Sequence, residues 1–122
     1  MRSLRAYNAE NRGQVKLNQQ LLDIEWLYNR GQFELCGRMV RKGKKLAEQM
    51  ADLGNSLLFL AWERKLIKRS LPKGAAALLQ TIGYAEKDVL ASLQEEQLMN
   101  ELNDQLFILS QETLGKTRKQ KV

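Results

Sequence analysis

The chain has 122 residues, 43% apolar and 28% charged, which is the size and balance of one modest globular domain. It holds no histidine and a single cysteine, Cys36, so a four-ligand zinc site, an intrachain disulfide and Ser-His, Cys-His or His-metal catalysis are excluded. Twenty Lys and Arg against fourteen Asp and Glu leave a net charge of +6.

Proline occurs once, at Pro72, and Leu, Lys, Gln, Glu, Ala and Arg dominate the remainder. These are good helix formers, and no stretch alternates apolar and polar residues long enough to make a strand. The longest apolar run, Leu57 to Trp62, is six residues, far short of the roughly 20 that cross a bilayer. The opening MRSLRAYNAENRG is polar and carries no secretory signal. Gly13, Gly31, Gly54, Gly83 and Gly115 fall at the edges of periodic segments and are expected to mark caps and turns.

Before Gly13, Leu4 and Tyr7 allow a short helix at most. Residues 14–29 place Leu17, Leu21, Ile24 and Tyr28 on one amphipathic stripe, with Leu22 and Trp26 on a second beside it, so two neighbours are expected. Residues 32–52 repeat Phe33, Cys36, Val40, Gly43, Ala47 and Met50 at steps of three and four. Small residues on that stripe let two helix backbones approach closely, which offsets the roughly 1 kcal/mol cost of a mid-helix glycine at Gly43. Here Cys36, Gly43 and Ala47 are expected to seat the second helix on the first. The next helix, 55–70, has Asn55 or Ser56 as its N-cap, an LLFLAW start that reads as enclosed, and a basic end at Arg64, Lys65, Lys68 and Arg69 that suits the helix dipole. Pro72 ends it and suits the first position of the following helix. In the last third, Met99, Leu102, Leu106 and Leu109 form a seam, and a break near Asn100 is allowed. The tail KTRKQKV after Gly115 is charged, lacks a stripe and is expected to fray.

The run Leu27, Gly31, Phe33, Cys36 and Gly43 resembles a tetratricopeptide-type helical hairpin over about one repeat of 34 residues. In that family a first helix ends in a Gly-x-aromatic turn, here Gly31-Gln32-Phe33, and small residues of the second helix pack on the first. Cys36 and Gly43 stand where the family usually has alanine, Asp23 where it usually has a large apolar residue, and Glu48 where a proline often closes the repeat. The stretch LLDIEWLYNRGQFELCGRMVRKGKKLAEQ, with the helix ending AWERKLIKR, also resembles uncharacterised bacterial helical proteins that tend to be longer. The resemblance implies stacked hairpins in a bacterial, cytoplasmic protein, either a short member or a fragment, and it assigns no activity.

Residues 30–73 hold eleven bases and four acids, whereas residues 83–114 hold one base and seven acids. Arg38, Arg41, Lys42 and Lys45 lie opposite the Phe33–Met50 stripe, and with Lys65, Lys68 and Arg69 they make a basic face. That face is either a solvated exterior beside the acidic helices or a docking surface for an acidic partner, since one-sign surfaces steer association. Nucleic acid is the competing partner, but no aromatic residue interrupts RMVRKGKK to stack on bases. Small residues on the apolar side of 33–50 favour burial against a helix over insertion into a membrane. Cys36 reads as a small hydrophobe, and Glu95, Glu96, Glu101 and Asp104 as an acidic surface rather than a metal centre. Trp26, Tyr28 and Trp62 read as core. Phosphate-cradling GxGxxG and GxxxxGK[ST] loops do not occur.

The sequence therefore predicts an all-α domain over residues 1–115, with about five to seven antiparallel helices, a hairpin at about 14–52, acidic helices at about 84–114 and a basic tail at 116–122. Gly31, Phe33, Cys36, Gly43 and Ala47 pack the hairpin. The expected function is a non-catalytic interaction or scaffold module without cofactor or metal, binding another protein. The Met99–Leu109 seam also allows a homodimer.

Overall fold

Two short turns of the same geometry set the architecture. In the computed structural model, which describes the backbone of residues 4–120 and the side chains of residues 11–115, α1 (Leu4–Asn29), α2 (Phe33–Gln49), α3 (Leu53–Ser70) and α4 (Ala75–Gln120) follow one another, with no strand among the described residues. The fold is all-α. Connections of only three residues leave α1 and α2, and then α2 and α3, antiparallel neighbours. At the first turn Gln32 N–H donates to Leu27 O at 2.9 Å and Gly31 N–H to Tyr28 O at 3.1 Å. At the second, Asp52 N–H donates to Ala47 O at 2.9 Å and Ala51 N–H to Glu48 O at 3.1 Å. Both are Schellman closures, which need a left-handed residue after the helix. Gly31 fills that position with φ +76°, but at the second turn it is Ala51, with φ +53°. A left-handed L-residue costs roughly 1–2 kcal/mol, so Ala51→Gly should raise the stability of this region by about 1 kcal/mol, read as a higher chemical-denaturation midpoint.

Four helices replace the expected five to seven, because three of the glycines expected to end helices do not. Gly13 lies inside α1, and Gly83 and Gly115 lie inside α4. A lone glycine costs about 1 kcal/mol, which good helix formers on both sides outweigh. The helix therefore continues past Asn100 as well. At Gly13 the missing side chain makes room for a neighbour: a Cβ there would stand 2.7 Å from Met50 Sδ. The Leu4–Tyr7 pairing lies outside the residues whose side chains are described. α4 extends to Gln120, and only residues 121–122 of the expected tail lie outside the described backbone.

The cap of α3 is Asp52, not Asn55 or Ser56. Its carboxylate accepts from Asn55 N–H at 3.1 Å, from Asn55 Nδ2 at 2.7 Å and, across the bundle, from Gln14 Nε2 of α1 at 2.8 Å. Partial burial disfavours the charged form, but these three donors outweigh it and hold the Asp52 carboxyl below the usual carboxylate range. α3 ends with Leu71 in the left-handed region, and Pro72 sits in the connection to α4 rather than at the first helical position.

The chain divides into two units, Met1–Val89 and Leu90–Val122, so that α4 contributes its first part to one and the remainder to the other. In the first unit the core comprises Leu17, Ile24 and Leu27 of α1, Cys36, Val40 and Ala47 of α2, and Phe59 of α3. Cys36 Sγ lies 3.5 Å from Ile24 O, joining α1 to α2. Gly43 serves a different contact from the one its sequence pattern predicts. A Cβ there would overlap Cε1 and Cζ of Phe59 and stand 2.9 Å from Cδ1, so this glycine admits the third helix rather than the first. The LLFLAW start of α3 is enclosed on one side only, with Phe59 and Leu60 buried and Leu58 exposed. The second stripe of α1 is exposed among the described residues: Leu22 is 62% and Trp26 55% exposed, with the Arg30 guanidinium 4.2 Å from the centre of the Trp26 ring.

Candidate functional site: a groove between α2, α3 and α4

The charged side chains of α2 and α3 surround a groove of about 1030 Å³ within the first unit. Its apolar lining comprises Phe33 and Val40 of α2, Leu66 and Ile67 of α3, and Leu78 and Ile82 at the start of α4, with Val40 and Ile82 buried beneath the others. Helical spacing explains the convergence. Val40 belongs to the buried stripe of α2, and Leu66 packs against the same core. Ile82 is 4% exposed, whereas Leu78, one turn earlier, is 44% exposed and leaves an apolar surface facing the groove.

Two ion pairs fix the walls. Lys44 Nζ of α2 lies 3.2 Å from Glu63 Oε1 of α3, with both side chains partly buried. Arg64 of α3 grips Glu86 of α4 through both guanidinium branches, with Nη1 2.8 Å from Oε2. This fork-on-fork pairing sets geometry as well as charge, and it places the first turns of α4 beside α3. Of the two carboxylates that line the groove, Glu63 is engaged by Lys44 and Glu34 by Arg38, while Arg41 and Arg69 line it without a carboxylate partner among the described residues.

An aromatic cluster buttresses one end. Tyr28 stands edge-on to Phe33, ring centres 5.3 Å apart, and to Trp62 at 5.5 Å, so each of the three helices contributes one ring. Arg69 lies 4.4 Å over Phe33, and Lys65 lies 4.5 Å over Tyr28 and 4.9 Å over Trp62. Cation–π contacts of this kind hold long basic side chains in place without neutralising them. Phe33 is therefore both a hairpin residue and part of the groove wall.

The seven basic residues singled out in the sequence have separate fates. Arg41 and Arg69 line the groove, and Lys65 is drawn onto the aromatic cluster. Arg38 pairs with Glu34 at 3.1 Å on the exposed side of α2. Lys42, Lys45 and Lys68 are exposed and line no part of the groove. Lys44, which the sequence reading passed over, does line it. Its signal was present, since Lys44 follows Val40 by four residues and so lies along the same flank of α2.

Cys36 is fully buried, and burial pushes its thiol above the ordinary cysteine value, so the thiolate needed for nucleophilic chemistry is disfavoured. Among the described residues no three acidic or sulfur side chains stand close enough to hold a metal ion, and no helix is long and apolar enough to cross a membrane. Comparison with protein-family models, curated proteins and solved structures finds no match for this chain.

Proposed function

We propose that the first unit is a non-catalytic, tetratricopeptide-like interaction module of the cytoplasm whose groove holds an acidic amphipathic helix of another protein. The observation that carries this reading is the pairing of an accessible apolar floor, Leu66, Ile67 and Leu78, with two cations, Arg41 and Arg69, that have no carboxylate partner among the described residues. A helix laid in such a groove buries its apolar face on the floor and turns its carboxylates to the rim. The groove also stands at the upper end of the roughly 300–1,000 Å³ usual for small-ligand pockets, which suits a row of side chains better than one compact molecule. Arg41 and Arg69 would steer the encounter and fix the register of the bound helix.

The test uses a synthetic acidic amphipathic helix of about five turns, labelled for fluorescence anisotropy, with a scrambled peptide as control. Saturable binding of the helix and not of the scrambled peptide is expected, and Arg41→Glu with Arg69→Glu should weaken it by about tenfold or more. Equal binding of both peptides, or binding untouched by the double charge reversal, overturns the groove reading. If a labelled oligonucleotide binds instead, with affinity that collapses as salt rises and with sensitivity to changes at Lys42, Lys45 and Lys68, the basic exterior is the functional surface.

A further inference from the structure

The second unit raises a question the groove does not answer. Between Leu98 and Leu114 eight large apolar side chains are more than half exposed, among them Leu102 at 54%, Leu106 at 63% and Phe107 at 64%. Apolar surface so concentrated on one soluble helix marks an interaction site. Met99, Leu102, Leu106 and Leu109 recur at steps of three, four and three, the spacing of a two-helix seam. This unit consists of a single helical stretch, which has no second element of its own to cover that seam.

Charge selects the occupant and its direction. From Leu90 to Leu114 the chain carries five acids, Glu95, Glu96, Glu101, Asp104 and Glu112, and no base. Lys116, Arg118 and Lys119 then follow within the last turns of α4. Two copies running parallel would set acids against acids and bases against bases. Two copies running antiparallel, centred between Leu106 and Phe107, set Glu95 and Glu96 level with the basic Lys116–Lys119 stretch of the other copy. The same register sets Leu106 level with Phe107 and Met99 level with Leu114, so apolar positions meet at the middle of the charge pattern and towards both of its ends. Glu101 and Glu112 meet in that register, but both are exposed and screened by water.

We infer that residues 90–120 of two copies of this chain pair as an antiparallel helical coil, making the protein a homodimer. The coil uses no residue of the groove, so a monomeric chain that still took the acidic helix would sink this inference and leave the groove reading standing.

The experiment is a solution mass measurement of the full chain by light scattering, followed by a distance between spin labels. A dimer is expected for the wild-type chain, and a monomer for Leu102→Glu with Leu106→Glu, whose near-UV circular dichroism should keep the wild-type signal of Tyr28 and Trp62. Labels at Glu95→Cys should lie roughly 35 Å apart in the antiparallel pair, from the 1.5 Å helical rise, and about 10 Å apart in a parallel one. Labels at Phe107→Cys should instead lie close together. A wild-type monomer at millimolar concentration, a dimer that survives the paired glutamates, or a short distance at position 95 each overturns the inference.

Discussion

Replacing Gly43 by alanine should lower the stability of the first unit by about 2–3 kcal/mol, although alanine is the better helix former by about 1 kcal/mol. The sign follows from position. A Cβ at residue 43 would overlap the ring of Phe59, and Phe59 is completely buried, so the ring has nowhere to turn. Overpacked cores typically lose 1–3 kcal/mol, by shifting side chains from their rotamers or moving the backbone. Here the relief available is separation of α2 from α3. That separation also loosens the Lys44–Glu63 pair and the groove wall above it. For a unit of this size the loss corresponds to a melting temperature lower by about 10–20 °C, read from the near-UV circular dichroism of the aromatic cluster. A melting temperature that rises would mean that helix propensity dominates and that the helices are not in close contact here.

The buried stripe of α2 was legible in the sequence, since steps of three and four among Cys36, Val40, Gly43 and Ala47 place one helix face inward whatever covers it. What covers it was not legible. Periodicity names a face and not its neighbour, which is why Gly43 reads from sequence as a contact for α1 and proves to admit Phe59 of α3. The same limit hides the exposure of Trp26 and Leu22, whose stripe has helical spacing like its buried counterpart but stays exposed among the described residues. Helix ends were misread where a local signal had a stronger competitor. Glycine marked an end at Gly31, where the Schellman bonds require a left-handed residue, and did not at Gly13 or Gly83, where nothing does. Ala51 gives no sequence signal at all for the turn it makes. The groove depended on long-range pairings, Arg64 with Glu86 and Arg69 over Phe33, that no local pattern encodes.

Phe59→Ala should be the most damaging single change in the first unit, at about 3–5 kcal/mol, because it removes the largest fully buried side chain and leaves a cavity between α2 and α3. Its more informative use is in combination. If Gly43 exists to make room for the ring, then adding Gly43→Ala to a chain already carrying Phe59→Ala should cost nothing and should recover up to about 1 kcal/mol through helix propensity and partial filling of the cavity. The two changes would then be coupled by about 3 kcal/mol, near the top of the range for residues in direct contact. Strict additivity would show that the ring and the glycine do not share one space. The coupling also separates packing from function. The groove floor at Val40 and Leu66 lies against the same core as Phe59, so affinity for an acidic helix should fall with Phe59→Ala at temperatures where the unit remains folded. Arg41→Glu with Arg69→Glu, both exposed, should weaken that affinity by about tenfold or more while leaving the melting temperature almost unchanged. A groove whose binding tracked only stability, and not those two cations, would be a packing feature without a partner.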